Sequence, residues 1–417
     1  MTKNRIYREL LIILLVLQVY FFDIIPALNQ ALTNWNTDVS KKLEVIVLFC
    51  ILFVRMIPGK DSFNKELIKL HFNLLSISIL VGTIVVAVGS AIIYHQTFIT
   101  GISGFYGFLI IPLGYWALAP FFERYDNVVW FYKMCVIFCS VYLFLQFGQA
   151  LIYKISGSIF LQYTQSALQN VYSLGRFTES IDFITFVSIF VSVKPFLIGE
   201  KWSKSEITLI LLIIMYHVFI SMGRMYLLIT VSVFCLAVLF LQKKLISSIT
   251  LTAFLIGIMY FLPTLTERIF SIFTEGSRAS SYTIRTYGID YYYNHIFFNG
   301  WFGMGFPDPG IYNWLLHGAI GFDLGAGLMN YADLGLLGTS AILGMVGLII
   351  IIYLIVLMVI SIVRGQNKKA LWILNLGIFG EFFTLSPFDM QRAWLFSLTL
   401  LLIDFTWNNT RRNLLAK

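Results

Sequence analysis

Charge is scarce in this chain. Asp, Glu, Lys and Arg make up 12% of its 417 residues, about half the roughly 25% of an ordinary soluble domain. That shortage, with 59% hydrophobic residues and a mean hydropathy of +0.83, excludes a water-soluble globular protein. Cysteine is also sparse. Cys50, Cys135, Cys139 and Cys235 all lie inside apolar runs, where small apolar filling is the expected role and no disulfide framework is built. The five histidines and the cysteines show no zinc spacing, so no metal and no cofactor is expected. There is no P-loop pattern, and the polar segments between apolar runs are too short for a nucleotide-driven domain. Neither a long internal repeat nor a low-complexity tract occurs. The net charge of +8 is carried by short clusters between apolar runs. That placement points to membrane orientation and away from nucleic acid.

What remains is a succession of apolar runs. A bilayer needs about 20 apolar residues per helical span. Candidate spans are 9–26, 43–58, 72–94, 101–122, 128–152, 181–199, 206–222, 224–241, 245–263, 331–362, 370–387 and 392–407. The expected fold is therefore an all-α polytopic membrane protein of about 12 transmembrane helices. The first run ends at Pro26 without a small-residue cleavage pattern, which favours a retained span over a signal peptide. One run is divided at Ser221-Met222-Gly223-Arg224, because Arg224 would otherwise sit at mid-membrane at a cost of a few kcal/mol or more (about 2.5 upward).

Charge orients these spans. With both termini cytoplasmic, nineteen of the 29 basic residues fall on the inner side, from Lys3, Arg5 and Arg8 through Arg364, Lys368 and Lys369 to Lys417. The outer segments hold Lys41, Lys42, Lys154, Arg176, Arg224, Arg268, Arg278, Arg285 and Arg392. Beyond Lys154 every outer cation is an arginine. Its planar fork of donors matches phosphate and carboxylate oxygens and keeps its charge when partly buried.

The one long stretch a bilayer would reject runs from Pro263 to Asn330. It divides the chain into an N-terminal membrane region (1–263), a large extracytoplasmic loop (264–330) and a C-terminal membrane region (331–417). The loop is rich in Tyr, Phe, Trp and Gly, unlike a disordered linker, and long ordered connections are commonly functional. Arg278 and Arg285 are seven residues apart with no Gly or Pro between them, so a helix would present both on one face. A glycine-rich turn, NGWFGMGFPDPG, follows. A second outer piece, YKISGSIFLQYTQSALQNVYSLGRFTES, reads as an interfacial helix or re-entrant segment ending near Arg176.

Four short motifs, in this order, resemble the Wzy-type polysaccharide polymerases and O-antigen ligases of bacterial envelopes. They are LGRFTES before the sixth span, ISMGRMYLLI at the seventh-to-eighth junction, SYTIRTYGIDYYYNHIFFNGWFGMGF in the loop and NYADLGLLGTSAILGMVGL entering the tenth span. They cover about residues 170–350. The chain departs from the pattern in having GR where SR is common and Met329-Asn330 where a His-Asn pair would stand. The resemblance implies a GT-C-like glycosyltransferase of the bacterial cytoplasmic (inner) membrane. It would polymerise undecaprenyl-pyrophosphate-linked oligosaccharide repeat units into O-antigen, capsule or exopolysaccharide, without nucleotide sugar or metal. A chain-length regulator and a flippase are implied partners, beside membrane lipid. Arg278 and Arg285 would act at the pyrophosphate with Arg176 and Arg224. Tyr292 and Trp301 offer faces for sugars, and His317 is the expected base, with His295, Asp323 and Asp333 behind it. Asp333 is alternatively a substrate contact or a cap for the tenth span. Two other readings stand beside this one. An O-antigen ligase would move finished polymer to another acceptor, and a lipid-linked sugar flippase would use polar residues such as Glu381 and Asp404 along a path.

Overall fold

The computed structural model describes residues 3–19, 39–56, 70–158, 169–171, 174–178, 180–241, 279–318 and 329–408. These are overwhelmingly α-helical. The helices are α1 (Lys3–Gln18), α2 (Val39–Met56), α3 (Asn73–Ile93), α4 (Phe98–Gly104), α5 (Gly107–Phe122), α6 (Tyr125–Ser156), α7 (Ile181–Leu197), α8 (Lys204–Phe219) and α9 (Arg224–Leu241). The loop contributes α10 (Ala279–His295) and α11 (Asn313–His317), and the chain ends in α12 (Gly335–Arg364), α13 (Lys368–Thr384) and α14 (Ala393–Asn408).

By length and composition, α3, α6, α9 and α12 with the short turn before it can each cross a bilayer. The bent pair α4–α5 makes a fifth if taken as one span. This is fewer than the twelve expected. Several apolar helices, such as α7, α8 and α13, have only 16 or 17 residues, or about 25 Å at 1.5 Å per residue, short of a hydrocarbon core of about 30 Å. The expected span 245–263 lies outside the described residues.

The two segments flanking the loop build one bundle. α14 runs along α5, and α13 nests against α7, α9 and α12. Their helix ends alternate. The C-terminal ends of α1, α3, α8 and α13 meet the N-terminal ends of α2, α5, α7, α9, α12 and α14 at one end of the bundle. At that end Gln18 donates to Gln391 O, Lys41 Nζ lies 2.7 Å from Gln18 Oε1, and Ser386 N donates to Ala332 O. The opposite end carries Arg5, Arg8, Arg55, Arg124, Lys201, Lys204, Arg364, Lys368 and Lys369 near helix termini. There Ser203 and Glu206 form a capping box on α8, and Lys194 of α7 pairs with Glu206 at 2.8 Å.

Three local expectations are corrected. The fourth span is not one helix: α4 and α5 meet at 76°. The segment after the fifth span is not helical throughout. α6 runs on to Ser156, and strands β1 (Gln169–Val171) and β2 (Leu174–Arg176) then pair antiparallel with Gln169 opposite Arg176. Asp333 does not cap α12. It lies in a 3-10 turn, Tyr331–Leu334, whose cap is Asn330 accepting from Ala332 N at 3.0 Å. The division at Arg224 holds. α8 stops at Phe219, Met222 takes φ +51°, and Arg224 opens α9.

Candidate functional site

The loop's glycine-rich turn is packed into the bundle. α12 breaks at Gly344, where φ is +61° and ψ −141°, a conformation for which a glycine is needed. The break frees carbonyls that the turn then uses. Met304 N donates to Ala341 O at 2.8 Å and Gly305 N to Ile342 O at 2.9 Å. On the other side α3 grips the same turn through Ser90 Oγ, which accepts from Phe306 N at 2.7 Å, and Tyr94, whose hydroxyl donates to Met304 O at 2.6 Å. Gln96 adds bonds to Phe306 O and Asp308 N. A backbone carried into apolar surroundings must find such partners. This clasp holds the C-terminal end of α10 beside α12.

The loop's chemistry-bearing residues are then placed as follows. Arg285 on α10 is exposed, and its side chain makes no hydrogen bond or ion pair among the described residues. Arg278 and Asp323 lie outside the described residues. Tyr292 has no exposure; its hydroxyl donates to Leu316 O, and burial raises its proton affinity further. With Tyr291, which donates to Leu315 O at 2.7 Å, it bolts α11 to α10. Its ring is therefore structural, and no sugar can stack on it as placed. Trp301 is 66% exposed and does offer an open face. His317, half-buried at the end of α11, has Nδ1 2.6 Å from Met329 O. A carbonyl at that nitrogen demands the Nδ1–H tautomer, which leaves Nε2 as the basic nitrogen. His295 is held in the same way by Tyr291 O at 2.7 Å.

The helix ends at this side of the bundle also gather a charged cluster that sequence reasoning did not assemble. Arg392, just ahead of α14, is buried. Its Nε donates to Asp182 Oδ1 at 2.7 Å, and its Nη1 donates to Asp389 Oδ2 at 3.0 Å and Ser386 O at 3.4 Å. Nη2 lies 3.3 Å from the Tyr226 hydroxyl, which itself donates to Asp182 Oδ1 at 2.6 Å. Burial raises the Asp389 carboxyl above the usual carboxylate range despite the adjacent Arg392. Thr339 and Ser386 hydroxyls bond at 2.7 Å beside it. Tyr331, Glu381 and Asp389 are each half-buried.

Asp333 is half-buried, within electrostatic reach of Tyr292 and Asp389. Its carboxylate makes no hydrogen bond or ion pair among the described residues. Arg224 lies two residues ahead of Tyr226 at the start of α9, and Arg176 closes β2. The structure thus brings His317, Tyr292, Asp333, Arg224 and Arg285 to the end of the bundle that holds Arg392. Asp404 belongs elsewhere. It accepts from Tyr115 and from His71 N near the opposite end, a packing role that removes it from any path shared with Glu381.

Asp182, Tyr226, Asp389 and Arg392 were missed because Asp182 and Arg392 are 210 residues apart. The one local signal was SPFDMQR, a charged turn between two apolar runs. Among the described residues no group of three or more His, Cys, Asp or Glu side chains is disposed to hold a metal ion. Compared with the known protein families and with curated proteins, the chain matches none.

Proposed function

We propose that this protein is an integral membrane glycosyltransferase of the bacterial cytoplasmic membrane, with about twelve spans, a GT-C-like fold and both termini cytoplasmic. It polymerises undecaprenyl-pyrophosphate-linked oligosaccharides at the outer face. The observation that carries this reading is the separation of charge between the two ends of the bundle. One end bears Lys and Arg near helix termini, as a cytoplasmic face does. The other gathers arginines, an exposed aromatic surface and a hydrogen-bonded cluster of Arg392 with Asp182, Asp389 and Tyr226.

Two substrates of opposite demand fit such an end. A pyrophosphate leaving group needs converging cations as charge develops, and Arg176, Arg224, Arg278 and Arg285 supply candidates. The incoming sugar needs hydroxyl partners, an aromatic face such as Trp301 and a base, for which His317 Nε2 is one candidate. Arg392 is not a phosphate ligand in this reading, since Asp182 and Asp389 already occupy its donors.

The test uses purified protein, a synthetic lipid-pyrophosphate-linked repeat unit and no other enzyme, with products resolved on a gel. Wild type yields a ladder. Arg285→Ala yields none at unchanged protein abundance, because an exposed side chain with no hydrogen bond or ion pair among the described residues contributes little to folding. A normal ladder from Arg285→Ala refutes the arginine assignment. If wild type forms product only on a second acceptor supplied with preformed polymer, the protein is a ligase.

A further inference from the structure

The tip of the loop carries an apolar surface that faces away from the bundle. From Tyr291 to Pro307 there is no Asp, Glu, Lys or Arg, although Arg285 and Asp290 precede this run and Asp308 follows it. Within it Phe297, Phe298 and Trp301 are 59%, 49% and 66% exposed. Ile289 and Tyr293, four residues apart on α10, are exposed on the same helix side. The opposite side of α10 is spent on the bundle: Tyr292 and Ile296 are buried, and Gly288 lies against Leu334. A contiguous exposed aromatic patch marks an interaction surface.

Two membrane-length helices set the depth of this patch. α12 and α3 are each long and apolar enough to cross a bilayer. α12 ends in the exposed Arg364, which belongs at a membrane boundary. From Arg364 back to Gly344 is 20 residues, about 30 Å at 1.5 Å per residue, the thickness of a hydrocarbon core. Gly344 therefore stands at the opposite boundary, with Gly303 and the Trp301 carbonyl against it. α3 gives the same level. It has 21 residues, and the Phe302 ring rests on Gly89, one turn from its end. The exposed Val88 and Ile92 beside Gly89, and Ile349 and Ile352 beyond Gly344, face lipid in helices that cross a bilayer, and the patch adjoins them. Non-helical backbone at such depth must bond its polar groups within the protein. The amides of Met304, Gly305 and Phe306 do so, on Ala341 O, Ile342 O and Ser90 Oγ.

We propose that the loop tip, at Phe297, Phe298 and Trp301, is seated in the membrane itself, where phospholipid headgroups meet acyl chains. The leaflet is the one opposite Arg364, which is the outer one in the orientation given above. Tryptophan concentrates at that boundary because its ring is apolar while its N–H meets headgroups and water. The two phenylalanines reach the first acyl carbons. A protein partner would require no particular depth, whereas both helices bring this patch to a hydrocarbon boundary. The loop is thus not wholly extracytoplasmic. It dips back to the bilayer, and its bonds to α12 and α3 fix how far. This seating is independent of the activity proposed above, and its test reads lipid contact, not product.

The experiment uses the full chain in phosphatidylcholine vesicles, with Cys50→Ala, Cys135→Ala, Cys139→Ala and Cys235→Ala as background and one fluorophore on Phe298→Cys. Asp290→Cys, exposed and nearer the start of α10, marks the water side, and Ile352→Cys marks the acyl interior. Quenching is read with lipids brominated on their acyl chains and with iodide on both sides of the membrane. The label at 298 is expected to be quenched by lipid roughly threefold more than at 290, and by iodide roughly threefold less, as for a side chain inserted at the headgroup boundary. At 352 lipid alone quenches. Iodide quenching at 298 equal to that at 290 overturns the proposal. So does quenching by neither agent, which would mean that a second copy or another part of the chain covers the patch. Absence of lipid quenching at 352 overturns the spanning of α12 and the proposal with it. Intrinsic tryptophan fluorescence gives a second reading without a label. Brominated lipid should quench wild type more than Trp301→Phe, and equal quenching overturns the seating.

Discussion

Replacing Gly344 by alanine tests the way the loop is held. The residue has φ +61° and ψ −141°, a region that costs a non-glycine residue about 1–3 kcal/mol. Its added Cβ would come within 2.4 Å of both Gly303 N and Trp301 O. These are backbone atoms and cannot rotate aside, so the turn must withdraw. Withdrawal breaks the bonds from Met304 N to Ala341 O and from Gly305 N to Ile342 O, each worth about 1 kcal/mol net. The sum is roughly 3–5 kcal/mol of lost docking. Since 1.4 kcal/mol is about a factor of ten, amide exchange at Met304 and Gly305 should accelerate at least ~100-fold. Amides in α7, distant from the break, should keep their wild-type rates. Gly148→Ala is the control. No atom lies within 4 Å of its built Cβ, and exchange at 304 and 305 should stay within twofold. Wild-type protection of those amides in Gly344→Ala would refute the docking argument.

Two further outcomes follow from the Arg392 cluster. Arg392→Gln strands Asp182 in a buried site and should cost about 3 kcal/mol or more. It should lower the melting temperature in detergent, and adding Asp182→Asn should recover part of the loss; a double variant no better than the single one would show that the pair is not the cause. Asp389, outside the apolar helices, has its carboxyl raised by burial, so the folded state binds its proton more tightly than the unfolded chain. Its contribution to stability is fully present below the ordinary carboxylate pKa of about 3.9. It declines as pH rises through the raised value. Asp389→Asn should therefore flatten the loss of melting temperature with rising pH over that window, and an unchanged slope would count against the assignment.

Helix positions were legible from sequence because apolar run length and breaking residues act locally. The division at Ser221-Met222-Gly223-Arg224 is one case: an arginine within an apolar run forces a helix end, and α8 and α9 separate there. The gathering of arginines at one end was legible for a similar reason, since charge between runs must lie at the ends. The use of the glycine-rich turn was not. It reads as a loop reversal, yet Gly303 meets Gly344, a residue in the middle of what sequence treats as one span. Tyr292 reads as a sugar platform and is a buried bolt, because exposure depends on α11 lying over it.

The amino-acid sequence by itself therefore determined a helical protein with apolar, membrane-length segments, a polar stretch between them and cations sorted by position. These follow from hydropathy, period and charge read within one stretch of chain. Tertiary structure alone decided which polar groups meet. Arg392 with Asp182 and the loop turn with the break in α12 are outcomes of how distant helix ends converge. In apolar surroundings a polar group is stable only where a partner or a function awaits it, and no local pattern records which distant residue that will be.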